Sequence, residues 1–110
     1  MGKIGIIGAM EQEVASLKNK MTQVKETKLA GMTFLEGMLC NKEVVVVRSG
    51  IGKVNMAICA QIVAGHFQVE KMINTGIAGS LCNDINIGDI VISTNALQHD
   101  VDATGFGYER

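Results

Sequence analysis

Three times in this chain a short apolar run of strand character ends in a glycine-bearing turn, and that repetition constrains the fold more than any other feature. Residues 3–8 run into Gly8-Ala9-Met10, residues 43–48 into Ser49-Gly50-Ile51-Gly52, and residues 71–75 into Thr75-Gly76-Ile77-Ala78-Gly79-Ser80. Apolar runs of this length bounded by turn signals read as buried strands. In α/β sheets the ligand crevice lies beyond the carboxyl ends of parallel strands, so three such turns can converge on one site. Thirteen glycines and no proline in 110 residues fit a chain whose backbone must turn sharply or pass close to a ligand at several places.

The segments between these runs alternate in period. Met10, Val14, Leu17 and Met21 recur at helical spacing, with Glu11 and Glu13 at the start and Lys18 and Lys20 at the end, matching the helix dipole. Residues 24–29, 32–39 and 43–48 read as strands joined by hairpins at Ala30-Gly31 and Cys40-Asn41-Lys42. The run Val44-Val45-Val46-Val47 suits a strand covered on both faces. Residues 53–67 predict a second helix, apolar over so much of its circumference that it should be sandwiched in the core. Residues 88–94 predict one more strand. The order β, α, three strands, α, β, β indicates an α/β fold with a mixed central sheet flanked by helices, in one domain over 1–110 without repeat or linker.

Composition removes several classes of function. Ten basic residues against eleven acidic ones give a net charge of −1, which supplies no field for nucleic acid or an anionic membrane. With 47% hydrophobic residues the chain is not disordered. No run approaches the roughly 18 apolar residues of a membrane span, and the apolar start is too short for a signal peptide and is followed at once by Glu11 and Glu13. Cys40, Cys59 and Cys82 form no C-x-x-C pair and read as reduced thiols of a soluble, cytoplasmic protein. Partners are expected to be small molecules or other protein chains.

Candidate chemistry is sparse. Gly50-Ile51-Gly52-Lys53-Val54-Asn55 lacks the third glycine of a dinucleotide fingerprint and has Val where a P-loop needs Ser or Thr. Glu11 and Glu13, two apart, do not face one another on a helix. Each reads either as a first-turn acid or as a general base aimed into the crevice. Burial would raise such a carboxyl's pKa and the helix terminus would lower it, and the sequence leaves the balance open. His99-Asp100-Val101-Asp102 looks like a piece of a metal site, though ordinary loop hydrogen bonding accounts for it better. Phe106 and Tyr108, set among glycines, suggest a contact surface. Two arginines, Arg48 and Arg110, are too few for a phosphate clamp.

Five motifs taken together resemble a known family. Gly5-Ile6-Ile7-Gly8-Ala9-Met10-Glu11-Gln12-Glu13, Ser49-Gly50-Ile51-Gly52-Lys53-Val54, Ile73-Asn74-Thr75-Gly76-Ile77-Ala78-Gly79, Gly88-Asp89-Ile90-Val91, and His99-Asp100 through Phe106-Gly107-Tyr108 closely resemble the bacterial 5′-methylthioadenosine/S-adenosylhomocysteine nucleosidases of the nucleoside phosphorylase superfamily. The resemblance implies hydrolysis of the N-glycosidic bond of 5′-methylthioadenosine, S-adenosylhomocysteine and 5′-deoxyadenosine, releasing adenine in methionine salvage. By position, Glu13 looks like the carboxylate that activates water, with Ala9, Met10 and Ile51 lining the site. Ile77, Ala78 and Gly79 resemble the turn along the nucleoside, and Phe106 the aromatic residue that reaches into a neighbouring subunit of a homodimer. No metal or organic cofactor is implied.

The match departs from the family at Ile77, where members often carry Ser to help hold water, and at Ser80, where Gly is common. The family's chain also continues well past Arg110. Its second half supplies the Asp that protonates adenine and the Met-Glu pair on the ribose. The chain is therefore expected to be the N-terminal portion of such an enzyme, with little or no activity alone. Phosphorolysis and a non-catalytic nucleoside-binding module are the alternative readings.

Overall fold

The structure is a computed structural model that describes residues 2–98, 100 and 104–107. It divides into two compact units, Met1–Ala78 and Gly79–Arg110. The first contains β1 (Ile4–Gly8), α1 (Glu11–Lys20), β2 (Thr22–Leu29), β3 (Met32–Leu39), β4 (Lys42–Arg48), α2 (Lys53–Gly65) and β5 (Lys71–Asn74). The strands form one sheet in the order β2-β3-β4-β1-β5. β1 is parallel to both β4 and β5, while β2, β3 and β4 form an antiparallel meander.

Both hairpins close through two residues of positive φ, Ala30 (51°) with Gly31 (76°) and Cys40 (51°) with Asn41 (64°). That geometry matches the right-handed twist of the flanking strands. Lys42 therefore belongs to β4, paired with Leu39, rather than to the turn. β2 begins two residues earlier than its pattern suggests, with a bulge between Thr22 and Lys25 where Gln23 takes a φ of 55°.

The valine run of β4 is covered on both faces, as its composition requires. Val44 and Val46 pack with Ile6, Val14 and Met21, whereas Val45 and Val47 pack with Ile7, Phe34, Cys59, Val63 and Phe67. The sheet thus carries α1 on one side and α2 on the other. Gly5 lies close against α2. A Cβ built there would lie 2.5 Å from Val63 Cγ1 and 3.4 Å from Val69 Cγ2. Gly5→Ala should destabilise the fold by about 1–3 kcal/mol through overpacking, read as a lower urea midpoint; an unchanged midpoint would show that α2 can retreat at no cost.

Two expectations are corrected. α2 is not sandwiched: Cys59 and Val63 are buried, but Val54 is 74% and Ile58 44% exposed. One face of the helix has found the sheet and the other has no cover in this unit. Residues 88–94 are not a strand in the second unit. Asn86 N–H donates to Asp89 Oδ2 (2.8 Å) and Asp89 N–H to the Asn86 carbonyl (3.1 Å), a local turn with Gly88 at φ 92°. Ile90, Val91 and Ile92 then project outward. A strand needs a neighbour for its backbone groups, and every strand in the sheet comes from the first unit. Elsewhere in the second unit a short 3-10 turn spans Thr104–Phe106.

Candidate active site

The parallel pairing of β1 with β4 and β5 sends the ends of all three strands to one edge of the sheet. The backbone is tied there. Ser49 N–H donates to the Gly8 carbonyl at 2.8 Å and Thr75 N–H to the Ile7 carbonyl at 2.9 Å. The convergence expected of the three glycine turns is therefore present, but their glycines serve different purposes. Gly50 and Gly52 adopt φ of 88° and 103°, conformations that favour glycine. Gly8 and Gly76 do not. Their lack of a side chain makes room.

That room is filled by Glu13. It occupies the third position of α1, which starts after Met10 at the end of the β1 turn. Its Oε2 accepts N–H groups from Ala9 (2.6 Å) and Met10 (3.1 Å), and its Oε1 accepts the Ile77 N–H (3.3 Å) from the turn after β5. The bond to Met10 is a helix-capping contact. Those to Ala9 and Ile77 extend it across two strand ends, so Glu13 is more than a first-turn acid. The N–H groups of Met10 and Ile77, with that of Ala9, hold its carboxyl below the ordinary value of 4.5, against a smaller opposing effect of desolvation. Hydrogen bonding to the charged form thus decides the balance that the sequence left open.

Glu11, two residues earlier, has other partners. It pairs with Lys18 at 3.2 Å and lies 3.9 Å from Arg48. The two acids are separated in space and in role, as the helical spacing requires.

A cleft of about 850 Å3 is lined by Ala9, Met10, Glu11, Arg48, Ile51 and Asn55, among others; Glu13 does not line it, but two of its N–H partners, Ala9 and Met10, do. Asn55 fixes the β4 turn by donating from Nδ2 to the Ile51 carbonyl at 2.8 Å. Ala9, Met10 and Ile51 line the cleft together, whereas Ile77 and Ala78 do not. Ile77 meets Glu13 through its backbone, and its side chain is 83% exposed. Replacing the family's common Ser by Ile therefore leaves this contact intact. The sequence reading did not place Arg48 and Asn55 in a cleft, because only the register of β4 and the first turn of α2 bring them there. Gly79 and Phe106 belong to the second unit, where both are exposed.

Cys40, Cys59 and Cys82 are free thiols, and burial pushes Cys59 up to about 11. Of the His99-Asp100-Val101-Asp102 segment only Asp100 is among the described residues, and Tyr108 lies outside them. Among the described residues no cluster of His, Cys, Asp and Glu could hold a metal, and no helix is long and apolar enough to cross a membrane.

Known proteins resemble this chain in sequence and fold. Over 106 residues the chain is 52% identical to a 5′-methylthioadenosine/S-adenosylhomocysteine nucleosidase of Staphylococcus aureus, an alignment covering 96% of this chain and 46% of that protein. Its structure resembles that of a nucleosidase of the same description from Colwellia psychrerythraea in complex with adenine, with a TM-score of 0.94 and 52% identity over 98% of this chain and 45% of the other. The corresponding Neisseria meningitidis enzyme, in complex with methylthio-immucillin-A, gives 0.93 and 42% over 98% and 47%. The chain spans about half the length of the relatives it matches. Residues 3–110 match the family model of the phosphorylase superfamily, and with the parallel strand ends gathered around Glu13 this establishes that the chain belongs to that superfamily.

Proposed function

We propose that this chain provides the water-activating half of a nucleosidase that hydrolyses the N-glycosidic bond of 5′-methylthioadenosine, S-adenosylhomocysteine and 5′-deoxyadenosine. The three-donor arrangement around Glu13 carries this reading. A carboxylate offers about four lone-pair directions. Ala9 and Met10 use both at Oε2, and Ile77 uses one at Oε1, so Oε1 keeps one for a water molecule. Glu13 is then a fixed acceptor whose depressed pKa makes it a weak base. A weak base is enough where the sugar carbon becomes oxocarbenium-like as the C–N bond breaks, because so strong an electrophile needs little help from its nucleophile.

In the reaction the water oxygen bonds to the anomeric carbon, its proton passes to Glu13 Oε1, and the C–N electron pair leaves with adenine. The departing base takes a proton from an acid, which the family resemblance assigns to an Asp in the second half of the family's chain. Ala9, Met10 and Ile51 form the wall on which the nucleoside lies. Adenine in the Colwellia relative and the nucleoside analogue in the Neisseria relative support this class of ligand.

The protein is read as a cytoplasmic homodimer. Ile51, Val54 and Ile58 expose an apolar strip along the start of α2, of the kind that protein interfaces cover, and Phe106 is 87% exposed in the second unit. Free thiols fit a reducing compartment.

A chimera of residues 1–110 with the remaining C-terminal segment of the Staphylococcus relative should release adenine from 5′-methylthioadenosine at the same rate with and without phosphate, yielding the free sugar. The 110-residue chain alone should release little or none. Strict dependence on phosphate, with sugar 1-phosphate as product, would instead assign the site to phosphorolysis.

A further inference from the structure

Gly76 stands at the start of the turn after β5 in a backbone conformation open to any residue, since it is absent from the positive-φ glycines. Its surroundings are what exclude a side chain. A Cβ built on Gly76 would lie 2.7 Å from Glu13 Oε1, 2.9 Å from its Cδ and 3.2 Å from its Oε2, and these are its three nearest neighbours. Gly8, on the other side, repeats the pattern: a Cβ there would lie 3.0 Å from Glu13 Cβ and 3.3 Å from its Oε2, as well as 2.7 Å from Val14 Cγ1. The carboxylate therefore sits against two bare Cα positions, one at the end of β1 and one in the turn that follows β5. We propose that Gly76, with Gly8 behind it, is a positioning residue: its missing side chain lets the Glu13 carboxylate lie against the β5 turn and accept the Ile77 N–H while keeping both bonds at Oε2.

The physical logic follows from the dimensions. The Ile77 bond is the longest of the three, at 3.3 Å, and the only one that comes from outside the β1–α1 connection. A methyl group at Gly76 must displace the carboxylate, because non-bonded carbon and oxygen do not approach to 2.7 Å. Displacement lengthens the weakest bond first. Oε1 would lose its donor and the space over it would fill, whereas the bonds from Ala9 and Met10, within the same turn of chain as Glu13, can follow the movement.

The inference concerns the geometry of Glu13 and is tested without catalysis, so its failure and that of the nucleosidase reading are separate results. In the 110-residue chain, NMR of the Glu13 side-chain carboxyl carbon and of the Ala9, Met10 and Ile77 amides follows the titration of that one group. In the unsubstituted chain all three amides should shift with the Glu13 titration, at a midpoint below 4.5. In Gly76→Ala the midpoint should move up towards 4.5 and the Ile77 amide should lose its response, while those of Ala9 and Met10 keep theirs. An unchanged midpoint with an unchanged Ile77 response in folded Gly76→Ala overturns the proposal. Should Gly76→Ala not fold, the double variant Glu13→Ala/Gly76→Ala is compared with Glu13→Ala. Recovery of the fold assigns the collision to the carboxylate and supports the proposal, whereas continued failure overturns it.

Discussion

Glu13→Gln, placed in the chimera with the Staphylococcus C-terminal segment, should lower turnover of 5′-methylthioadenosine by about 10²–10⁴-fold, the usual contribution of a positioned general base, and leave nucleoside affinity nearly unchanged. Gln keeps the size of Glu but has one oxygen. The two N–H donors at the Oε2 position, from Ala9 and Met10, hold that oxygen there. The amide NH2 then faces the Ile77 N–H and the water, presenting a donor where an acceptor is needed. Turnover and affinity falling together would place Glu13 in binding instead. The same substitution changes the response to acid. A carboxyl with its folded pKa lowered contributes stability that is present above its unfolded pKa and is lost as pH falls through the folded one. Glu13→Gln removes that contribution, so its stability should fall less steeply on acidification below 4.5 than that of the unsubstituted chain.

Phe34→Ala should destabilise the first unit by about 3–5 kcal/mol, read as a large fall in the urea midpoint. Phe34 is fully buried in the first half of β3, with its ring centroid 5.0 Å from that of Phe67 and its backbone paired opposite Val47. Removing it opens a cavity between the sheet and α2. A loss of this size approaches the whole stability of a small domain, about 5–15 kcal/mol, so the variant should be largely unfolded at modest temperature. Phe106→Ala is the control: at 87% exposure it should change stability by less than about 0.5 kcal/mol. A small effect at Phe34 would mean that β3 and α2 close over the gap.

Most of the fold was legible because its cues are local. The apolar runs of β1, β4 and β5, the 3.6-residue period of α1 and the two hairpin turns each follow from residues a few positions apart. Where local cues misled, a missing neighbour was the reason. Residues 88–94 carry strand composition but no partner for their backbone, and the apolar circumference of α2 has cover on one side only.

The site divides in the same way. The sequence by itself determined that three glycine turns follow three buried strands, that Glu11 and Glu13 point apart, and, through the family resemblance, that Glu13 is the residue to watch. Only the tertiary structure decided what holds Glu13. Its Oε1 meets an amide 64 positions away in the chain, across a gap that exists because β5 lies parallel to β1 and Gly76 has no side chain. Sequence separation hides such a contact, since neither the donor's side chain nor its local pattern takes part. The same registration separates glycines required by backbone conformation, Gly50 and Gly52, from glycines required by space, Gly8 and Gly76. In the sequence all four are the same letter, and only packing tells them apart.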